Sequence, residues 1–169
     1  MAYEGRAVAN LLLDQADALG LQLTHMAIHK IAYFGHGWHL AQCGVPLIKQ
    51  PFEAWRYGPV VQSVWEAFKH VKGGPVRERA MRFDPVERTL SVAVDKFNSD
   101  TQAFISDILR GYGAVRPLEL SRLTHRFGGP WHRVWHAPAG TVTLGMEIPN
   151  DWIRDDFLKE AQIAARGRA

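Results

Sequence analysis

The sequence predicts a single α+β domain that is predominantly helical, with a small antiparallel β element at about residues 51–57 and 81–94. Three observations predict it. Apolar residues recur at spacings of three and four through most of the 169 residues, which is the mark of helices with one buried face. The period changes to alternation only in short stretches. Glycine and proline punctuate the pattern at Gly20, Gly44 with Pro46, Gly73-Gly74-Pro75 and Gly128-Gly129-Pro130. No repeat, low-complexity run or linker interrupts it, so 1–169 reads as one domain.

The elements follow in order. Val8, Leu11, Leu12, Ala16 and Leu19 line one face of a first helix, stopped at Gly20 because glycine is costly inside a helix and cheap just past its end. Thr24 caps a second helix running to about Cys43. Pro51 to Tyr57 reads as extended, and Gly58-Pro59 as the turn that opens a third helix carrying Val60, Val61, Val64, Trp65, Phe68 and Val71. Met81–Asp84 and 89–94 alternate around Pro85-Val86-Glu87-Arg88, a hairpin with Leu90, Val92 and Val94 on one face. Ser99 and Gln102 have capping-box spacing ahead of Phe104, Ile105, Ile108, Leu109 and Tyr112. Pro117 starts a helix with Leu120, Leu123, Thr124 and Phe127 on one face, and Pro130 starts a short segment holding Trp131 and Trp135. Residues 138–148 read as loop, and Asn150 or Asp151 caps a last helix with Trp152, Ile153, Phe157 and Ala161.

Composition excludes several classes of function. A hydrophobic content of 47% with 22% charged residues belongs to a core-forming globular chain, not a disordered one. The net charge of +3 is mild for a dedicated nucleic-acid coat. Cys43 is the lone cysteine, which excludes a disulfide framework and a thiolate metal cluster. No stretch reaches the roughly 18 apolar residues of a membrane span, and the polar start does not resemble a signal-peptide core. The expectation is a cytoplasmic protein.

Candidate chemistry is sparse. His25, His29, His36 and His39 share one stripe about 80° wide on the second helix, yet successive turns rise about 5.4 Å, so the four cannot converge on one ion. Hydrogen-bonded, partly buried histidines are the expectation, with no metal and no cofactor. There is no Gly-x-Ser-x-Gly elbow, and Cys43 sits at a helix end beside apolar residues, the usual place of a filler thiol. Both glycine pairs are followed by proline, which lacks the N–H that phosphate cradling needs. Glu53 and Glu66 are isolated acids, so the chain is not expected to be an enzyme. Arg77, Arg79, Arg82 and Arg88 gather on the hairpin, and Arg110, Arg116, Arg122, Arg126 and Arg133 in the second half; solvated faces are the ordinary fate of such charges. Six tryptophans exceed what one small core absorbs and point to a binding surface.

Three separated motifs then resemble a known family. The segment Lys30-Ile-Ala-Tyr-Phe-Gly-His-Gly-Trp-His-Leu-Ala41, followed by Gly44-Val-Pro-Leu47, resembles the signature helix and turn of the Panacea domain. Phe52-Glu-Ala-Trp-Arg-Tyr-Gly-Pro-Val-Val61 is similar to that family's most recognisable segment nearly residue for residue. Leu120-Ser-Arg-Leu-Thr-His125 with Gly129-Pro-Trp131 is similar to its second block, and Ile148-Pro-Asn150 to the start of its last helix. The resemblance spans about residues 8–157. His29 and His36 stand where the family often has glutamine, and Ala32 where leucine is usual; the extra histidines therefore weigh further against a metal.

The resemblance implies a prokaryotic or phage-associated antitoxin that neutralises a cognate protein toxin, encoded by a neighbouring gene, through direct contact. The family's toxins are diverse and include small alarmone synthetases and inhibitors of translation. Some members carry an added DNA-binding domain, for which this chain is expected to have no room, so DNA binding by the chain alone is not expected. The alternative is an adaptor or regulator linking a toxin to a protease or to promoter DNA. The toxin-binding surface is expected at Trp55, Arg56 and Tyr57, joined by His39, Thr124, His125 and Trp131, with Gly58 and Pro59 as a structural turn. A long cation between two large aromatics, ahead of core-facing valines, has no evident packing role. The competing use of Arg56 is to tie down loop carbonyls or to pair with Glu53.

Overall fold

The computed structural model describes residues 1–138 and 146–167. The helices are α1 (Gly5–Ala18), α2 (His25–Cys43), α3 (Gln62–Phe68), α4 (Ser99–Tyr112), α5 (Pro117–Thr124), α6 (Pro130–Trp135) and α7 (Asn150–Arg166). The strands are β1 (Phe52–Trp55), β2 (Gly58–Val60), β3 (Met81–Asp84), β4 (Thr89–Val92) and β5 (Glu147–Ile148). The fold is a mostly helical α+β domain.

Helix α2 is its axis. Thr24 caps it by accepting from the Ala27 N–H, and Gly44 closes it in the left-handed region at φ 71°. Residues 27–37 of α2 are buried without interruption, because α1, α3, α4, α5, α7 and β2 all pack around it. A helix enclosed on every side needs apolar or satisfied side chains all round. Of the stripe's histidines His29 and His36 are buried and His25 and His39 half-buried, and each has at least one ring-nitrogen partner. His36 faces Asn150 Oδ1 at 2.9 Å through Nε2 and receives the Ile48 N–H at Nδ1. His39 Nδ1 lies 2.7 Å from the Val45 carbonyl, and His25 and His29 meet each other at 3.0 Å. Gly37 is required by close approach: a Cβ there would sit 2.2 Å from the Phe157 ring of α7.

The β element resolves into two separate sheets, of order β2-β1-β5 and β3-β4, both antiparallel. Residues 51–57 and 81–94 therefore do not pair with each other. Gly58-Pro59 does not open α3. It starts β2, so that Trp55 pairs with Gly58 and Arg56-Tyr57 form a two-residue hairpin turn. Helix α3 begins four residues later, at Gln62, with Val61 at its N-cap. Val60, Val61 and Val64 are buried, the first from a strand.

Other local expectations shift by a residue or lose a partner. Asn98, not Ser99, caps α4, accepting from the Thr101 N–H. Pro149 precedes α7 without a side-chain cap, because Asn150 spends its oxygen on His36. Leu120 and Thr124 are buried, but Leu123 and Phe127 are exposed. Most of the expected 138–148 loop lies outside the described residues; within it, Glu147–Ile148 form a strand. The β3–β4 hairpin stands as expected, yet Leu90, Val92 and Val94 all face solvent.

Candidate functional site

Six of the seven residues expected at a binding surface converge on the β1–β2 turn. Neither Arg56 nor Tyr57 is at positive φ; the residue after them, Gly58, takes φ 109° where the chain enters β2, as in hairpins whose turn is followed by a left-handed glycine. A Cβ at that position would lie 2.5 Å from Thr124 Oγ1 and 2.8 Å from Lys30 Cε. Close approach and backbone conformation thus both select glycine. Around this point the backbone is gripped. Trp131 Nε1 donates to the Trp55 carbonyl at 2.8 Å, and His125 Nε2 lies 3.3 Å from the Arg56 carbonyl. Ser121 Oγ donates to the Tyr57 carbonyl at 2.8 Å, and Lys30 Nζ to the Pro59 carbonyl at 2.9 Å.

Four carbonyls of one turn therefore engage side chains from three helices, α2, α5 and α6. The grip has its own supports. Thr124 Oγ1 donates to the Ser121 carbonyl at 2.7 Å. The His125 ring packs on Trp131 with centroids 3.8 Å apart, and Trp135 stacks on the same indole.

The side chains of the turn are spent differently. Trp55 Nε1 donates to Glu53 Oε2 at 2.7 Å, and its ring tilts against Trp65 of α3. Glu53 is thereby committed to Trp55 and not to Arg56. Arg56 and Tyr57 are both exposed, Tyr57 by 58%. The Arg56 guanidinium lies 5.5 Å over the Tyr57 ring and, among the described residues, makes no hydrogen bond or ion pair. His39 is elsewhere, at the C-terminal end of α2 against Phe104 of α4.

Beneath the turn lies a cavity of about 370 Å³, walled by Trp55, Trp65, Met26 and Val60 and floored by His25, His29 and Lys30. Burial pushes the Lys30 ammonium down to about 7. Burial, then the charges of Lys30 and His70, lowers His25 to about 4. His29 is held well below the usual histidine range, first by burial and then by Lys30 and His25. Its Nδ1 is buried with no hydrogen-bond partner. At pH 7 His25 and His29 are therefore neutral and Lys30 is about half protonated, while the mouth carries the charge of Arg56.

Among the described residues no group of three or more His, Cys, Asp or Glu could hold a metal ion. Cys43, expected to be filler, is exposed at the end of α2. No helix of the described residues is long and apolar enough to cross a membrane.

Two comparisons bear on identity. Residues 28–132 match the family described as "Antitoxin SocA-like, Panacea domain", a span holding most of α2, the β1–β2 turn and all four gripping side chains. The chain belongs to this family. Within it, the Panacea chain is 34% identical over 158 residues to the protein named "Antitoxin SocA" from Caulobacter vibrioides (strain NA1000 / CB15N), covering 92% of this chain and 83% of that one. No solved structure matches.

Sequence reasoning missed Lys30 and Ser121 as parts of the site. A signal for Lys30 existed: it is the only Lys, Arg, Asp or Glu between His25 and Cys43. A lone charge inside an otherwise uncharged helix is either at the surface or bound to something. Here it is bound to Pro59.

Proposed function

We propose that this Panacea chain is a non-enzymatic antitoxin, and that it neutralises a cognate protein toxin by direct contact through the surface centred on Arg56 and Tyr57. One observation carries the reading: the turn's backbone is held at four carbonyls while its two central side chains stand in solvent with no hydrogen bond or ion pair among the described residues. Packing needs the turn and does not need those side chains. Tyrosine and arginine, with tryptophan, dominate interface energetics because they offer rigid area and a planar five-donor fork. A turn held at four points has little conformational freedom left to lose on binding, which favours affinity. Trp55, Thr124, His125 and Trp131 act through the turn, as residues that hold it. His39 is remote, and we assign it a capping role at the end of α2.

A masking interface of standard size buries about 1,200–2,000 Å² in total, more than this turn presents, so neighbouring exposed residues of α3 and α5 belong to it. The toxin surface that fits carries a carboxylate for Arg56 and an apolar group for the cavity mouth beside Tyr57. The test is growth rescue: the toxin encoded beside this gene is expressed with the wild-type chain, with Arg56→Glu, or with Tyr57→Ser. Both variants fold and fail to rescue. Rescue by both at wild-type level, from equal amounts of protein, would place the toxin elsewhere.

A further inference from the structure

The β3–β4 hairpin has no part in the site above, and its composition is unusual for a surface. Register pairs Met81 with Val92 and Phe83 with Leu90, so these four share one face of the ribbon. Val94 extends that face. Phe83 is 57%, Leu90 63%, Val92 41% and Val94 62% exposed. Proteins ordinarily blunt such edges with charge, bulges or a covering element, and among the described residues no third strand joins this sheet. The base is rigidly held instead. Asn10 of α1 donates to the Ala80 and Ala93 carbonyls and accepts from the Ala80 N–H.

The hydrogen-bonding phase of the edge can be read from that base. The Ala93 N–H donates to the Ala80 carbonyl at 2.9 Å. Antiparallel alternation then turns the polar groups of Ser91 and Thr89 inward toward β3, and leaves those of Leu90 and Val92 on the open edge of β4. The residues whose side chains form the apolar face are thus the same ones whose backbone lacks a neighbour.

Charge selects the occupant. Arg79 is paired with Asp14 and Asp17, and Arg82 with Asp95. Among the described residues Arg88, in the turn at φ 53°, and Lys96, beyond the end of β4, make no ion pair, and they bracket the stripe Leu90, Val92, Val94 in sequence. Two copies of the hairpin pairing antiparallel about Val92 would set Arg88 of one against Lys96 of the other at both ends, which like-charge opposition disfavours. A nucleic acid would meet an apolar strip between two cations. We propose that the open edge of β4 is a docking site for an extended segment of a partner protein, apolar at alternate residues and acidic at both ends, which adds as a third strand. It is a second surface, independent of the Arg56 turn.

The test uses a fluorescein-labelled peptide, Asp-Asp-Val-Thr-Val-Thr-Val-Asp-Asp, titrated with the full chain by fluorescence anisotropy. Saturable binding is expected. Replacing the aspartates of the peptide by lysine, or Lys96 by Glu, weakens it by about tenfold as end pairs turn from attractive to repulsive. The doubly substituted Leu90→Thr, Val92→Thr chain, exposed at both positions and therefore folded, binds less, and amide exchange at Leu90 and Val92 slows in the wild type when peptide is bound. Absence of saturable binding overturns the proposal, as does equal binding of the acidic and lysine peptides. Displacement of the peptide by duplex DNA would make the surface a nucleic-acid site, and a concentration-dependent dimer abolished by the double substitution would make it a self-association edge; either result overturns it as well.

Discussion

Lys30 is the most demanding element of the gripped turn, and replacing it by methionine isolates its contribution. The side chain is 2% exposed, and its one hydrogen bond is to the Pro59 carbonyl. Burial lowers its pKa from 10.5 to about 7, so between those values the folded chain holds the amine neutral while the unfolded chain holds it charged. The unfolded state then binds the extra proton, and stability must rise with pH through this window, by up to about 1.4 kcal/mol per pH unit. Lys30→Met keeps the length and removes the titration, but leaves the Pro59 carbonyl without its donor at a cost of about 1–3 kcal/mol. Urea unfolding followed by tryptophan fluorescence, from about pH 7 to about pH 9.5, compares the two chains. The stability of wild type minus variant is expected to grow across the window by about 3 kcal/mol. Parallel pH profiles would mean instead that Lys30 stays charged when folded and that its cavity is wet.

Other expectations follow from single contacts. Gly58→Ala adds positive-φ strain of roughly 1–2 kcal/mol and an overpacking cost of about 1–3 kcal/mol against Thr124 and Lys30. Gly44→Ala also sits at positive φ but meets open space, so only the strain remains; equal losses for the two in urea would contradict the close packing under the turn. On the acid side, His36 is neutral when folded, because its Nδ1 receives the Ile48 N–H and cannot also carry a proton. Burial, outweighing the bond to Asn150, lowers it from 6.5 to about 4. The unfolded state gains the proton first, so stability is lost as pH falls from about 6.5 toward about 4. His36→Gln shallows that acid limb, and an unchanged limb would move the effect to His25 and His29.

Much of this was legible in the sequence, because helix signals are local. Thr24, Gly44, Pro117 and Pro130 each mark a boundary by their own backbone preferences, and each does so in the structure. Long-range partners were not legible. Gly58-Pro59 reads equally as a helix start or as a strand start, and the choice is made by Lys30, Ser121 and Thr124, distant in sequence. Leu90, Val92 and Val94 alternate as a buried strand would, yet alternation reports only that side chains share a face. Asn150 sits where a cap is expected and is claimed by His36 from another helix. For the site, aromatic and cationic composition pointed to Trp55-Arg56-Tyr57, whose backbone the structure brings against His125 and Trp131, while His39 shared a helical stripe with His36 without sharing its surroundings.

On the proposed function, Arg56 and Tyr57 are offered to a partner by a turn that does not itself need them. The most direct measurement is a calorimetric titration of the purified neighbouring-gene toxin, in an inactivated form, with the wild-type chain and with Arg56→Glu, alongside melting curves for both. An unchanged melting temperature is expected, with an affinity reduced by about a hundredfold or more, the loss of one hot-spot residue made worse by reversed charge. An Arg56→Glu chain that melts normally and binds the toxin as tightly as wild type would contradict the proposed function.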